Sequence, residues 1–257
     1  FVFMPDAVFA KGGSASVPVA LAAWCYRIPV LIHDSDATAG LANRFLGRFA
    51  TRIAIAYPDT RKFFPPEKTA LTGNPVRQEV LAGSRERALA TFGLQPEKPL
   101  LLVIGGSLGA SALNEALLRV LPEMLQKGVQ VVHQTGEEHY EKIAKAVADY
   151  GIRADQGYLA KAFLSGSELG DLLAASDVVL SRAGAGSIAE IAAHGKAAIL
   201  VPLASAANDE QRLNAHDIAH IGGAVVLEEA NLGEHLLINT LADLLGDAAK
   251  REALGTA

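Results

Sequence analysis

The sequence predicts an α/β protein of parallel sheets with helices on both faces, and three observations carry that prediction. Short runs rich in Val, Ile and Leu alternate with helical patterns along the 257 residues. Most of these runs are continuously apolar, as strands buried on both faces require. Glycine clusters stand where strands give way to helices, which is where open α/β sheets bind ligands. The units are unevenly spaced, which argues for a doubly wound sheet over a closed eight-fold barrel.

The first candidate strand, Ala7–Ala10, runs into Gly12-Gly13. Ile28–His33, Ile53–Tyr57 and Ala70–Thr72 follow, each short and apolar. From Gln78 to Lys98 the composition changes to charged residues with Gly83, Gly93 and Pro96, and Pro99 then opens a new buried run. This seam predicts a first domain over 1–80, a linker over 81–98 and a second domain over 99–257. The second domain carries candidate strands Leu100–Ile104, Val129–His133, Val178–Leu180, Ala198–Val201 and Ala224–Leu227. Helical periodicity covers Ala110–Leu125, Glu137–Tyr150, Ser187–His194 and Asp209–Ile221.

Half the residues are apolar and the net charge is −5, so bulk charge excludes a general nucleic-acid binder. A single cysteine, Cys25, rules out an internal disulfide, and its setting beside Trp24 reads as a small buried apolar residue. The apolar stretch 17–26 is interrupted by Pro18 and is too short to span a bilayer. The apolar opening FVFMPDAVFAKGG reads as the inside of a domain, so the first domain is expected to be incomplete.

The clearest anion site is LLLVIGGSLGASALN, residues 100–114. A buried strand ends in Gly105-Gly106-Ser107, and a helix starts after Gly109. Glycines let backbone N–H groups approach a phosphate, and the helix amino terminus adds positive potential. The pattern is neither a dinucleotide fingerprint nor a P-loop. The next strand ends in Gln134-Thr135 without the acid a nicotinamide ribose takes, so NAD is disfavoured.

A second turn lies in LSRAGAGSIAEI, residues 180–191. Ser187 and Glu190 have the spacing of a capping box, yet Arg182, Gly184 and Gly186 place them at a strand end, where a carboxylate can hold a ribose diol. Both readings stay open on spacing alone. A third patch, NDEQRLNA over 208–215, sets Gln211 and Asn214 on one helix face, as amides for sugar hydroxyls or as the polar face of a capped helix.

Together these motifs resemble the donor-binding half of GT-B glycosyltransferases, and most closely the MurG family. The resemblance runs through PDAVFAKGGSASVPVALAAW, IPVLIHDSDATAGLANR, LTGNPVR, VIGGSLGASALN, SRAGAGSIAEIAAHGKAAILVPL and DEQRLNA. It implies two Rossmann-like doubly wound domains, the first incomplete. It also implies inverting, metal-independent transfer of GlcNAc from UDP-GlcNAc to the undecaprenyl-linked muramyl-pentapeptide (lipid I), giving lipid II. No cofactor and no metal are implied. Gly105, Gly106, Ser107 and Gly109 would meet the pyrophosphate, Arg77 would lie near the nucleotide, and the backbone at Phe163-Leu164 would meet uracil. Glu190 would bind ribose, Arg182 and Ala185 would approach GlcNAc, and Gln211 and Asn214 would face its hydroxyls. On the acceptor side stand Gly12, Gly13 and Asp36, with His33 and Asp34 as the candidate catalytic base pair. The family's H-E-Q-N motif reads His33-Asp34-Ser35-Asp36 here, Arg212 stands where a second glutamine can occur, and the family's opening G-G-T-G-G-H loop has no counterpart. Donor binding without transfer is therefore the expectation for this polypeptide.

Residues 44–62 hold five basic residues and one acid, interleaved with Phe45 and Phe49 and followed by Phe63 and Phe64. Such a surface suits an anionic membrane face or, equally, a solvated helix over core phenylalanines. The resemblance implies peripheral attachment at the cytoplasmic face of the bacterial inner membrane. Other readings are a UDP-sugar glycolipid transferase, a UDP-GlcNAc epimerase, which would need further acids and histidines around the pyrophosphate, and a non-catalytic UDP-sugar-binding module.

Overall fold

Apolar runs of two to five residues form ten parallel strands in two sheets among residues 4–106, 110–153 and 156–257, which the computed structural model describes. The chain divides into two units, one of Phe1–Pro75 with Ser205–Asn214 and one of Val76–Ala204 with Ala215–Ala257.

The first unit carries β1 (Val8–Ala10), β2 (Val30–Asp34), β3 (Arg52–Ile55) and β4 (Thr69–Leu71) in the order β1-β2-β3-β4. Helices α1 (Ser16–Cys25) and α2 (Leu41–Leu46) make the first two crossovers, and 3₁₀ turns at Pro58–Phe63 and Pro66–Lys68 make the third. Ile32 pairs in register with Ala10 on one side and Ile53 on the other, and Val30, Ile32, Ile53, Ile55, Leu46 and Phe64 form the core. Cys25, read from sequence as buried, is exposed at the last turn of α1.

The second unit opens with α3 (Gln78–Leu81) and α4 (Arg85–Phe92). Its strands are β5 (Leu100–Ile104), β6 (Gln130–Gln134), β7 (Tyr158–Lys161), β8 (Val178–Arg182), β9 (Ala197–Val201) and β10 (Val225–Val226). Between and after them lie α5 (Ser111–Gln126), α6 (Tyr140–Asp149), α7 (Gly166–Ala175), α8 (Ala185–Ala193), α9 (Glu210–His220), α10 (Glu234–Gly246) and α11 (Ala248–Thr256). The sheet order is β10-β9-β8-β5-β6-β7. Alternation along each central strand feeds two separate cores. Leu101, Val103, Val178, Leu180, Ile199 and Val201 join the α5 and α10 side, while Leu100, Leu102, Val179 and Leu200 join the α7 and α8 side. Strand β7 was not anticipated: it is four residues long, at the sheet edge, and mostly half-exposed, so its apolar signal is weak.

The stretch 81–98, read as a linker, belongs to the second unit and folds largely as α4, with α3 and α4 packed on α7. Its charges are structural. Arg87 forks onto Asp171 of α7 through Nε (3.2 Å) and Nη2 (2.6 Å), and Ser84 N–H donates to the same carboxylate at 2.8 Å. Its glycine is there for contact: a Cβ on Gly83 would collide with the Gly170 carbonyl, and one on Gly170 with Val80 backbone. Residues 205–214, read as part of the second domain, group with the first unit.

Gly170→Ala is therefore expected to destabilise the second unit by about 1–3 kcal/mol, because backbone and not a flexible side chain must move. Gly246→Ala, at a helix end with open space around it, is expected to be neutral or slightly stabilising. Denaturant midpoints of the two variants check the pair; equal midpoints would contradict the packing described.

Candidate functional site

Strand order reverses between β5 and β8. From β5 the chain runs outward through β6 to β7, then returns to lay β8 on the other side of β5. In open parallel sheets the crevice at the carboxyl ends of two such strands is the usual ligand position. The loops after β5 and β8 are both glycine turns. Gly105 is packed so closely that a Cβ would press on the Ala110 nitrogen, and Gly106 takes φ +81°, a left-handed value that favours glycine. Gly184, at the end of the other loop, and Gly186, in the first turn of α8, face open space. Ala110, the N-cap of α5, and Gly184, the N-cap of α8, make no side-chain cap. Ser107 and Gly109 lie outside the described residues.

The capping-box reading of Ser187 and Glu190 does not hold. Helix α8 starts at Ala185, two residues before Ser187, so both residues are inside the helix. The capping box of the unit lies elsewhere, in Ser165 and Glu168 at the start of α7, where the two residues exchange side-chain and backbone bonds. Glu190 instead meets Arg77, whose Nε and Nη2 both reach Oε1, at 3.0 and 2.9 Å. The guanidinium also lies 3.7 Å from Glu79. Two residues that the resemblance implies as nucleotide contacts sit together, 113 positions apart.

Other expected donor residues are placed less openly. Arg182 is buried, and its Nη1 donates to Glu229 Oε2 at 2.7 Å and to the Val201 and Pro202 carbonyls. It ties the ends of β8 and β9 to the Glu229 turn rather than presenting a guanidinium to a sugar. Glu229 was not foreseen, because no local pattern links it to a residue 47 positions away. Ala185 is buried at the first position of α8, and the Leu164 side chain belongs to the core, leaving only its backbone for a base.

In the first unit, Gln211 is half-buried in the first turn of α9, but Asn214 is fully buried and committed. Its Oδ1 accepts from Ala37 N–H at 2.7 Å and its Nδ2 donates to Asp36 Oδ1 at 2.9 Å. The amide expected at a sugar therefore orders the 36–37 loop, and Asp36 supplies the acceptor that this amide needs. His33 and Asp34, expected as a base pair, point to opposite faces, as neighbours on a strand must. His33 Nε2 lies 3.0 Å from the Gly73 carbonyl, which can only accept, so this nitrogen carries the proton and Nδ1 accepts from Ser35 Oγ at 3.3 Å. Asp34 Oδ2 accepts from Gly40 N–H and Asn43 Nδ2, each at 3.1 Å. Burial pushes the Asp34 carboxyl up despite those bonds, and Asp36 adds to the shift.

A cavity of about 610 Å³ in this unit is lined by Gly12, Gly13, Asp34, Ser35, Asp36 and Asn43, with Lys11 and Glu210 among the rest. Gly12 and Gly13 take φ +95° and +79°, and a Cβ on Gly12 would press on the Asn43 amide. Glu210 was not foreseen at this cavity; burial and then Asp36 and Asp34 push its carboxyl up.

Comparison with known proteins agrees with this arrangement. The model of the glycosyltransferase family 28 C-terminal domain matches residues 100–257, and that of the N-terminal domain matches residues 2–55. A Bacillus thuringiensis protein named UDP-N-acetylglucosamine–N-acetylmuramyl-(pentapeptide) pyrophosphoryl-undecaprenol N-acetylglucosamine transferase 3 is 41% identical over 254 residues, covering 98% of this chain and 68% of its own. A Lachnospira eligens protein of the same name, without the number, is 41% identical over 244 residues, covering 95% and 66%. The crystal structure of Acinetobacter baumannii MurG superposes with TM-score 0.74 at 30% identity, covering 98% of this chain and 68% of that one. A solved UDP-N-acetylglucosamine 2-epimerase, at TM-score 0.69 and 16% identity, shares the fold alone. The chain spans about two thirds of the length of the curated relatives it matches. By domain match, identity and fold, the chain belongs to the MurG family of glycosyltransferase family 28, a family of UDP-GlcNAc-dependent GlcNAc transferases on a GT-B scaffold.

Proposed function

We propose that the chain acts in transfer of GlcNAc from UDP-GlcNAc to the undecaprenyl-linked muramyl-pentapeptide, giving lipid II. The observation that carries this reading is the reversal of strand order at β5 and β8, where two glycine turns lead into helices without side-chain caps and Glu190, on the helix after β8, is held by Arg77. Backbone N–H groups at the start of α5 take the diphosphate, and with the helix dipole they stabilise the leaving UDP without a metal. Glu190 Oε2, which has no partner among the described residues, accepts from a ribose hydroxyl, while Arg77 holds Oε1 and fixes the carboxylate.

In the chemistry proposed, an acceptor hydroxyl oxygen bonds to the anomeric carbon as the bond from that carbon to the UDP oxygen breaks. The hydroxyl proton must go to a base. Asp34 lines the first unit's cavity, and its raised carboxyl suits it to accept that proton. His33 does not line the cavity and stands behind Ser35, whose hydroxyl it receives. Peripheral membrane attachment is read on the same unit. Trp24, Leu41 and Phe45 are exposed, Phe49 stacks between Trp24 and Phe45, and Arg44, Arg48 and Lys62 line a groove with Phe63. Phe64 borders the same groove while its ring is buried in the core of the unit. No helix among the described residues is long and apolar enough to cross a membrane.

Three measurements check these assignments. Calorimetry should show UDP binding and little or no binding of ADP or NAD; equal or tighter NAD binding would overturn the donor reading. Glu190→Gln should weaken UDP by roughly 10- to 150-fold, the worth of a charge-assisted bond of about 1.5–3 kcal/mol. Its melting temperature should hold nearly steady, since the residue is not a cap and its Arg77 partner is half exposed. Asp34→Asn should raise melting temperature at pH 7–8, and wherever turnover on a lipid I analogue is measurable it should lower that turnover. A carboxyl raised by burial disfavours folding once it ionises, so removing it helps above the folded pKa. The gain should vanish as pH falls toward the ordinary value of 3.8. A variant equally stable at every pH would contradict the buried-carboxylate account, and undiminished turnover would remove Asp34 as the base.

A further inference from the structure

Behind the β5–α5 turn runs a chain of buried polar groups that the proposed chemistry does not use. Asn114 lies in the first turn of α5, His133 on β6 and Tyr158 on β7, and all three are buried. Asn114 Nδ2 donates to the Thr135 carbonyl at 3.0 Å, so its Oδ1 is left to accept from His133 Nε2 at 2.9 Å. Burial pushes His133 down to about 3, so the imidazole is neutral and, with Nε2 donating to Asn114, its Nδ1 accepts from the Tyr158 hydroxyl at 3.0 Å.

The same strand end holds the other side of the turn. Gly105 N–H reaches the Gln134 carbonyl at 3.4 Å, and Gln134 Nε2 reaches the Gly106 carbonyl at 3.4 Å. Consecutive residues 133–135, at and just past the end of β6, thus fasten the turn at its entry, through Gly105 and Gly106, and at its exit, through Asn114. An apolar residue at 114 would fill the space but would not fix how far α5 advances toward the crevice. A helix terminus acts on an anion only within its first turn, so a small advance or retreat matters.

We propose that Asn114 and His133, backed by Tyr158, are positioning residues for the donor diphosphate: they set the place of the α5 amino terminus without touching the ligand. The proposal rests on the UDP-sugar reading of the crevice. It separates the diphosphate from the nucleoside, because uridine needs Glu190 and the base contacts but not the α5 terminus.

The test titrates UDP and uridine against the native protein, His133→Phe and Asn114→Leu by ligand-observed NMR. Expected is a loss of about tenfold or more in UDP affinity with uridine affinity changed by less than about twofold. An unchanged ratio of UDP to uridine affinity, whether both hold or both fall, overturns the positioning role and leaves the donor reading intact. Absence of UDP binding by the native protein overturns both. For the case in which a variant fails to fold, the native protein provides a second measurement in the His133 Nε2 proton resonance. UDP should shift it and uridine should not; a resonance indifferent to UDP overturns the proposal.

Discussion

The second unit is organised by the reversal of strand order between β5 and β8. A parallel sheet must send its chain back over one face or the other after every strand. Where the direction of travel changes, two successive loops part instead of covering each other. That gap is a consequence of connectivity, present before any side chain is specified. Glycines 105, 106, 184 and 186 stand beside it, and neither Ala110 before α5 nor Gly184 before α8 supplies a side-chain cap. The two cores on either face, each fed by alternate residues of β5, β8 and β9, hold the two strand ends steady.

Polar groups near the strand ends divide into two kinds by burial. Arg182, Asn214, Asn114 and His133 are buried, and each spends its hydrogen bonds on neighbouring backbone or side chains. A buried donor or acceptor without a partner costs roughly 1–3 kcal/mol, so such residues are committed in advance. Arg77 and Glu190 are different. Arg77 is half exposed, and its ion pair with Glu190 is of the weak, solvent-screened kind. A weak pair can yield to or share with a ligand at low cost, whereas a buried pair cannot.

Periodicity made the strands legible, because continuous apolar runs have few other uses. Glycine clusters located both turns of the crevice for the same reason. What the sequence hid was pairing at a distance. Glu229 beneath Arg182, Glu190 beneath Arg77 and Asp36 beneath Asn214 have no local pattern to mark them. Spacing also misled. Ser187 and Glu190 have capping-box spacing two residues inside a helix, while the functioning box is Ser165 with Glu168. Charge and glycine between 81 and 98 looked like a linker, because a glycine required for close helix packing and one required for flexibility are the same letter. The catalytic pair expected at 33–34 met a simpler limit: adjacent strand residues face apart.

The route of the chain between its two units has a consequence for dissection. It leaves the first unit after Pro75, re-enters it at Ser205, and leaves again within α9 after Asn214. No single cut yields both units whole. A fragment beginning at Val76 would carry 205–214 away from its partners, and the Asn214 amide would lose Ala37 and Asp36 together. The units are interleaved in sequence although each is compact in space, so neither is a module that gene fusion or excision could move alone. Recombination that exchanged one unit would have to conserve a ten-residue insert inside the other.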